Sequence, residues 1–396
     1  MHTERIIELS KKYYDEMVEL RHQFHMYPEI GFEEKRTSET IVKVLKKLGI
    51  EFTANVAKTG VVGIIKGKCP GKTVLLRADM DALVLQEEAN VPYKSRIPGR
   101  MHACGHDGHT AGLLGAAMIL NELKDELKGN IKLVFQPAEE NDGGAKPMIE
   151  EGILENPTVD AAFGCHLWGG TQEGHIHVKH GAVMAAPDKF TFRIIGKGGH
   201  GAMPHLAVDS ISIAVQAINN MQTIVSRRIN PLTPVVISFC SIHGGESHNI
   251  LPNEVEVVGT VRIFDEDLRQ WIPKAMEEIL EGVTKSQGAN YTFEYIERFP
   301  PLINDYQMTD LVSKAVGKIV GDERVSEAPE PNMGGEDFAY FCQKVPASFF
   351  FVGISKDLKN PVCHHHPEFQ WDDKNLLTVA QSMAQVAVDF LCEDKQ

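Results

Sequence analysis

Apolar residues recur every three to four positions over 4–27 and again over 34–48, the spacing of helices that bury one face, and Gly49 stands where the second would stop. Beyond it the pattern changes to short apolar runs bounded by Gly and Pro, at 60–65, 73–77, 131–135 and 159–165, with helical stretches at 107–127 and 145–152. Runs that are apolar at nearly every position belong to strands covered on both faces. The alternation therefore predicts an α/β fold, a mixed, mostly parallel sheet clothed by helices. Functional groups in such sheets gather at the carboxyl ends of the strands. Here Asp79 and Asp81 follow one run, Glu139 and Glu140 another and His166 a third, while a late run at 348–354 leads into His364, His365 and His366.

The middle of the chain has a different rhythm: strand 189–195, helix 209–228, strands 235–242 and 254–264, helix 266–287, strand 290–297. This β-α-β-β-α-β order is the signature of a ferredoxin-like α+β domain. Ligand-type residues lie on both sides of it, so it reads as an insertion at 187–297 that divides a catalytic, metal-binding domain into parts at 1–186 and 298–396.

Two domains also suit 396 residues, more than one core usually covers. A formal charge of −14 argues against nucleic-acid partners and anionic membrane surfaces, and an anionic substrate would need a local cation. Seven scattered cysteines suit a reducing compartment. The first twenty residues lack the apolar stretch of a signal peptide, and no run of about eighteen apolar residues appears, so the expectation is a cytoplasmic protein.

The candidate chemistry is metal-assisted hydrolysis. Cys104 and His106 flank a glycine that lets the backbone turn sharply, so a thiolate and an imidazole can reach the same ions. A Cys-x-His pair alone is more often structural, but four more candidate ligands follow separate strand ends. Glu139 and Glu140 offer one carboxylate to hold a metal and one to move a proton, and their mutual repulsion calls for a nearby cation. His166 competes with Cys165, which strand alternation points the other way. The triplet 364–366 cannot place all three rings on one ion, and spacing does not choose among them. Two glycine-rich stretches, 67–73 and 196–201, lack the order and ending of a phosphate loop. Arg262, alternating with apolar residues on a strand, is suited to a bidentate clamp on a carboxylate, and Asn249 could add a hydrogen bond.

These motifs together resemble the aminoacylase and carboxypeptidase superfamily of dinuclear metallohydrolases. The nearest likeness is to the amidohydrolase branch of hippurate hydrolase, N-acyl-amino-acid amidohydrolases and plant auxin-conjugate hydrolases. The resemblance runs through Arg21-His-Gln-Phe-His-Met-Tyr-Pro-Glu29, Leu76-Arg-Ala-Asp-Met-Asp-Ala82, Cys104-Gly-His-Asp-Gly-His109, Phe135-Gln-Pro-Ala-Glu-Glu140, Gly164-Cys-His-Leu-Trp168, Gly198-Gly-His-Gly201, Gly334-Gly-Glu-Asp-Phe338 and His365-His-Pro-Glu-Phe369. It implies five ligands, Cys104, His106, Glu140, His166 and His365, for two divalent ions (Zn, Mn, Co or Ni). His365 is the choice because the family's ligand precedes a variable residue and a proline. Glu139 would be the general base and Arg262 the substrate-carboxylate arginine. His200 would come from the inserted domain, which acts as a lid or dimerisation domain. In related members that histidine reaches a dimer partner's site, which leaves room for a homo-oligomer. Peptidase branches carry His-x-Asp where this chain has Asp79-Met-Asp81, so Cys104 and His106 look like the substitute and both aspartates are expected behind the ligands.

The implied activity is hydrolysis of N-acyl amino acids to a carboxylate and a free amino acid. A carboxypeptidase or dipeptidase using the same centre is the nearest rival. A non-catalytic binder of acyl amino acids is a more distant one, against which the intact Glu139 and complete ligand set argue.

Overall fold

In a computed structural model of the protein, residues 2–141 and 143–392 are described. They form two compact units, one of Met1–Val183, Ile303–Glu330 and Asp337–Gln396, the other of Met184–Leu302 with Pro331–Glu336.

In the first unit the N-terminal helix is interrupted at Tyr13, giving His2–Lys12 and Tyr14–Met26. Helix Lys35–Leu48 ends at Gly49, whose left-handed conformation (φ 67°) lets Gly49 N and Ile50 N donate to the carbonyls of Lys46 and Leu45. The eight-stranded sheet runs Glu51–Val56, Gly60–Lys66, Lys128–Gln136, Cys69–Asp79, Ala161–Gln172, Ala347–Ser355, Ile176–Val178, Val325–Glu327. Its four central strands, from Lys128–Gln136 to Ala347–Ser355, are parallel, and the first two strands are antiparallel. Register pairs Asp79 with Gln136, the last residues of their strands, whereas His166, expected just past a strand, lies inside Ala161–Gln172 opposite Phe351, because that strand runs on beyond its neighbour Cys69–Asp79.

Helix His106–Leu123 is buried along nearly its whole length. Gly108, Gly112 and Gly115 lie on one face of it, where a Cβ would strike Trp371, Val379 and Met17 respectively. Gly112, and Gly115 whose Cβ would also lie 3.1 Å from Ala380 Cβ, are what let helix Asn375–Cys392, which the apolar spacing did not reveal, lie close against it. Asn375–Cys392 is apolar on most sides, so its amphipathic signal is weak. Helix Tyr306–Val320 was also missed, although Asp305 caps it by accepting from Met308 N (2.9 Å).

In the second unit, antiparallel strands stand in the order Val235–His243, Glu254–Ile263, Ala186–Ile195, Asn290–Ile296. Alternate residues such as Phe190, Phe192, Val255 and Val257 point into a core shared with helices Ser210–Thr223 and Glu266–Gln287. Asp209 and Asp265 cap those helices. Pro331–Glu336 joins this unit because Ala185 N donates to the carbonyls of Asn332 (3.1 Å) and Gly334 (2.9 Å). Among the described residues no helix is long and apolar enough to cross a membrane.

Candidate metal centre

Strand Lys128–Gln136 ends at Pro137, and Ala138 then turns the chain with a left-handed φ of 55°. Buried Glu139 follows, then Glu140, whose backbone N–H donates to Asp81 Oδ2 (3.0 Å). Gly105 (φ 95°) sits at the N-cap of helix His106–Leu123 and separates Cys104 from His106. His166 lies inside strand Ala161–Gln172, and His365 is anchored by its backbone N–H to Ala103 O (2.8 Å).

The fold brings these residues together. Candidate ligand atoms of Cys104, His106 and His166 lie within 4.8 Å of one another, as do those of Cys104, Glu140 and His365, and of His106, Glu139 and Glu140. Two trios sharing Cys104 form the layout two neighbouring ions would need.

The bonds behind them set each ring. Leu167 O can only accept, so His166 Nδ1 (2.7 Å) carries the hydrogen and Nε2 turns its lone pair toward Cys104 Sγ (3.4 Å). His106 Nδ1 is held by Asp81 O (3.0 Å) and Oδ1 (3.2 Å), leaving Nε2 for the centre. A fourth trio, Asp79, His106 and His109, is different, because both His109 nitrogens are engaged. Nδ1 donates to Asp79 Oδ1 (2.6 Å), and Nε2 accepts from Leu167 N (2.9 Å). His109 and Asp79 are thus bonded to each other and to the residues behind the site. His109 went unassigned in the sequence, although its spacing of three from His106 on one helix was the available signal.

The histidine triplet divides three ways. His364 accepts from Gly169 N (3.0 Å) and stacks on Trp168, His365 Nε2 approaches Glu140 Oε1 (3.2 Å), and His366 accepts from Glu368 N (3.2 Å).

Further back, buried Arg77 donates to Gln136 Oε1 (2.8 Å), Asp79 Oδ2 (2.8 Å) and Asp337 Oδ1 (2.9 Å). Asp107, the residue after His106, accepts from Arg21 Nε (3.2 Å) and lies 2.9 Å from His25 Nδ1, while His25 Nε2 meets Glu87 Oε1 at 3.1 Å. The Arg21–Glu29 motif thereby secures the start of the helix that carries His106.

The other three predicted residues belong to the second unit. His200 pairs with Ile250 in a two-stranded ladder and its Nδ1 accepts from Ala202 N (3.1 Å). Asn249 Oδ1 accepts from Ser247 Oγ (2.8 Å). Half-buried Arg262 is tied through Nε to Met333 O (2.9 Å) and through Nη1 to Val261 O (3.2 Å) and Thr260 Oγ1, leaving Nη2 without a partner among the described residues. Burial lowers its pKa.

The electrostatics fit a cationic guest. Burial opposes a charge on His106, yet Asp79, Asp81 and Glu140 outweigh it and push that imidazole up to about 10. Burial, Glu140 and Glu139 push the Cys104 thiol well up, and burial holds His166 neutral. Burial would raise Glu140, but His365 and His106 hold it below the usual carboxylate range. Glu140 Oε1 is buried without a hydrogen bond, because the approach of His365 lacks the geometry of one. Two groups pointing past each other at a common place, among excess carboxylates, is what a shared cation would resolve.

Comparison with known proteins agrees. The profile of peptidase family M20/M25/M40 matches residues 75–389. An N-acyl-L-amino acid amidohydrolase of Geobacillus stearothermophilus is 45% identical over 77% of this chain and 82% of its own length. Thermostable carboxypeptidase 1 of Saccharolobus solfataricus is 40% identical over 95% of both chains. The crystal structure of a dinuclear metal binding peptidase from the M20 family of Bacillus subtilis superposes with a TM-score of 0.84 at 35% identity, covering 96% of this chain and 99% of that one. With its fold, its cluster of candidate ligands and these relatives, the chain belongs to peptidase family M20/M25/M40.

Proposed function

We propose that this chain is a metal-dependent amidohydrolase that cleaves N-acyl amino acids to a carboxylate and a free amino acid. The observation that carries the reading is Glu139, buried beside Glu140 and within 4.8 Å of His106 at the trios of candidate ligands. Cys104, His106, Glu140, His166 and His365 would hold two divalent ions. Bound there, such ions would acidify a water and polarise the amide carbonyl. Glu139 accepts the proton of the attacking water and returns it to the leaving nitrogen. His200 donates to the developing oxyanion, whether in its own subunit or a partner's. Arg262, with Nη2 open, and Asn249 bind the free α-carboxylate of the substrate. A mixed thiol, imidazole and carboxylate set admits Zn, Mn, Co or Ni. Scattered reduced thiols suit a cytoplasmic enzyme, and the second unit is the part through which copies would associate.

The carboxypeptidase relative, 40% identical over nearly the whole chain, favours a second reading, cleavage of dipeptides by the same centre. Amino-acid release from acetyl, benzoyl and longer acyl amino acids, measured beside dipeptides with metal-reconstituted protein, separates the two. Turnover of the acyl set is expected, with Glu139→Gln lowering kcat by about 10³-fold or more at unchanged metal content. Activity confined to dipeptides would replace the first reading by the second.

A further inference from the structure

Helix Lys35–Leu48 begins at Glu34, yet that side chain does not cap it. Capping falls to Glu29, which accepts from Arg36 N (3.1 Å), Thr37 N (2.9 Å) and Thr37 Oγ1 (3.0 Å). Glu34 is instead fully buried, where an acid without a cation is costly. Its Oε2 accepts from Thr59 Oγ1 (2.6 Å) and its Oε1 from the backbone N–H of Ala138 (2.9 Å).

Three loops meet there, each holding non-glycine residues in the left-handed region: Phe32 (φ 64°), Ala57 (46°) and Lys58 (75°), and Ala138 (55°). Gly31 packs so closely on Ala138 that a Cβ would fall 2.8 Å from the alanine's own. Left-handed alanine is disfavoured by about tenfold in population or more and persists only where its surroundings over-determine it. Ala138 immediately precedes Glu139, so its φ sets the direction in which that carboxylate leaves the strand.

We propose that Glu34 is a positioning residue for the hydrolytic centre: by accepting the Ala138 N–H it holds that residue left-handed and so aims Glu139, while Glu140 keeps a separate anchor through its backbone N–H on Asp81 Oδ2 (3.0 Å). This rests on the reading of Glu139 as the base. Glu34 touches neither substrate nor ion and acts only through the backbone of Ala138.

The test is a double-mutant cycle of Glu34→Ala and Ala138→Gly, because glycine takes positive φ without penalty. Glu34→Ala should lower kcat about tenfold, with KM and bound metal changed less than about threefold, and exchange of the Ala138 amide hydrogen should speed at least about tenfold. Placed on Ala138→Gly, the same change should lower kcat less than about threefold. Glu34→Gln, which keeps the acceptor, should stay within about threefold of wild type. If Glu34→Ala does not fold, Thr59→Val, which removes the hydroxyl that orients the carboxylate, carries the same cycle. Equal losses in both backgrounds, an unchanged kcat, or a loss that follows metal content would overturn the proposal. Amide exchange does not depend on the role of Glu139. Turnover surviving in Glu139→Gln would overturn the base reading and leave the exchange result standing.

Discussion

Replacing Arg77 by methionine tests what supports the metal centre. Arg77 is 1% exposed and its donors reach Gln136, Asp79 and Asp337 at 2.8 to 2.9 Å, both carboxylates being fully buried. Methionine fills similar space but leaves two buried acids without that cation, and breaking a buried pair in this way costs about 3–5 kcal/mol. The lower end is expected, since Asp79 keeps His109 (2.6 Å) and Asp337 keeps Gln136 Nε2 (2.8 Å) and Ala145 N (3.0 Å). At roughly 2 °C per kcal/mol for a chain of this size, the melting transition should fall by about 6 °C or more. The loss must also depend on pH. Burial pushes Asp337 up to about 6, against 3.8 for a free aspartate, even with Arg77 beside it. Its folded pKa being raised, its contribution is present below about pH 4 and disappears as pH climbs through 6. Removing Arg77 extends that window upward, so the variant should lose more at pH 8 than at pH 5.5. Adding Asp337→Asn should restore about half the loss at pH 8. A variant within about 1 kcal/mol of wild type at pH 8, or one damaged more at pH 5.5, would refute the reasoning.

Three further outcomes are expected. Burial opposes the His25 charge, but Asp107 and Glu87 outweigh it and raise the imidazole from 6.5 to about 9. That raised value contributes about 3 kcal/mol, complete below pH 6.5 and lost as pH rises through 9, so the denaturation gap between wild type and His25→Gln should close over that window. Gly108→Ala drives a methyl into Trp371 and Leu167, so melting should show a loss of about 1–3 kcal/mol, and an undisturbed transition would mean the start of helix His106–Leu123 is not packed against them as described. Because His106 and Cys104 hold protons where a cation would bind, titration calorimetry should show proton release and an affinity for Zn or Mn that weakens from pH 8 to pH 6, with Cys104→Ser binding more weakly still; pH-independent binding would contradict the ligand set.

The succession of apolar runs and helical stretches was enough to specify a helix-covered, mostly parallel sheet and a β-α-β-β-α-β segment, because burial period is a local property of the chain. The same local reading put Asp79, Glu139 and Glu140 at strand ends, where the fold has them; His166, read the same way, lies inside a longer strand but still reaches the cluster of candidate ligands. Other features had no local signature. Spacing within His364-His365-His366 does not say which ring meets Glu140, and only the resemblance singles out His365; its placement comes from Trp168, Gly169 and Ala103, which only the folded sheet brings alongside. The burial of Arg77 between acids, the brace from Glu34 to Ala138 and the helix Asn375–Cys392 against a glycine stripe likewise join residues far apart in the chain. Periodicity records which face of an element is buried, whereas the partner against which it is buried is decided when the layers pack.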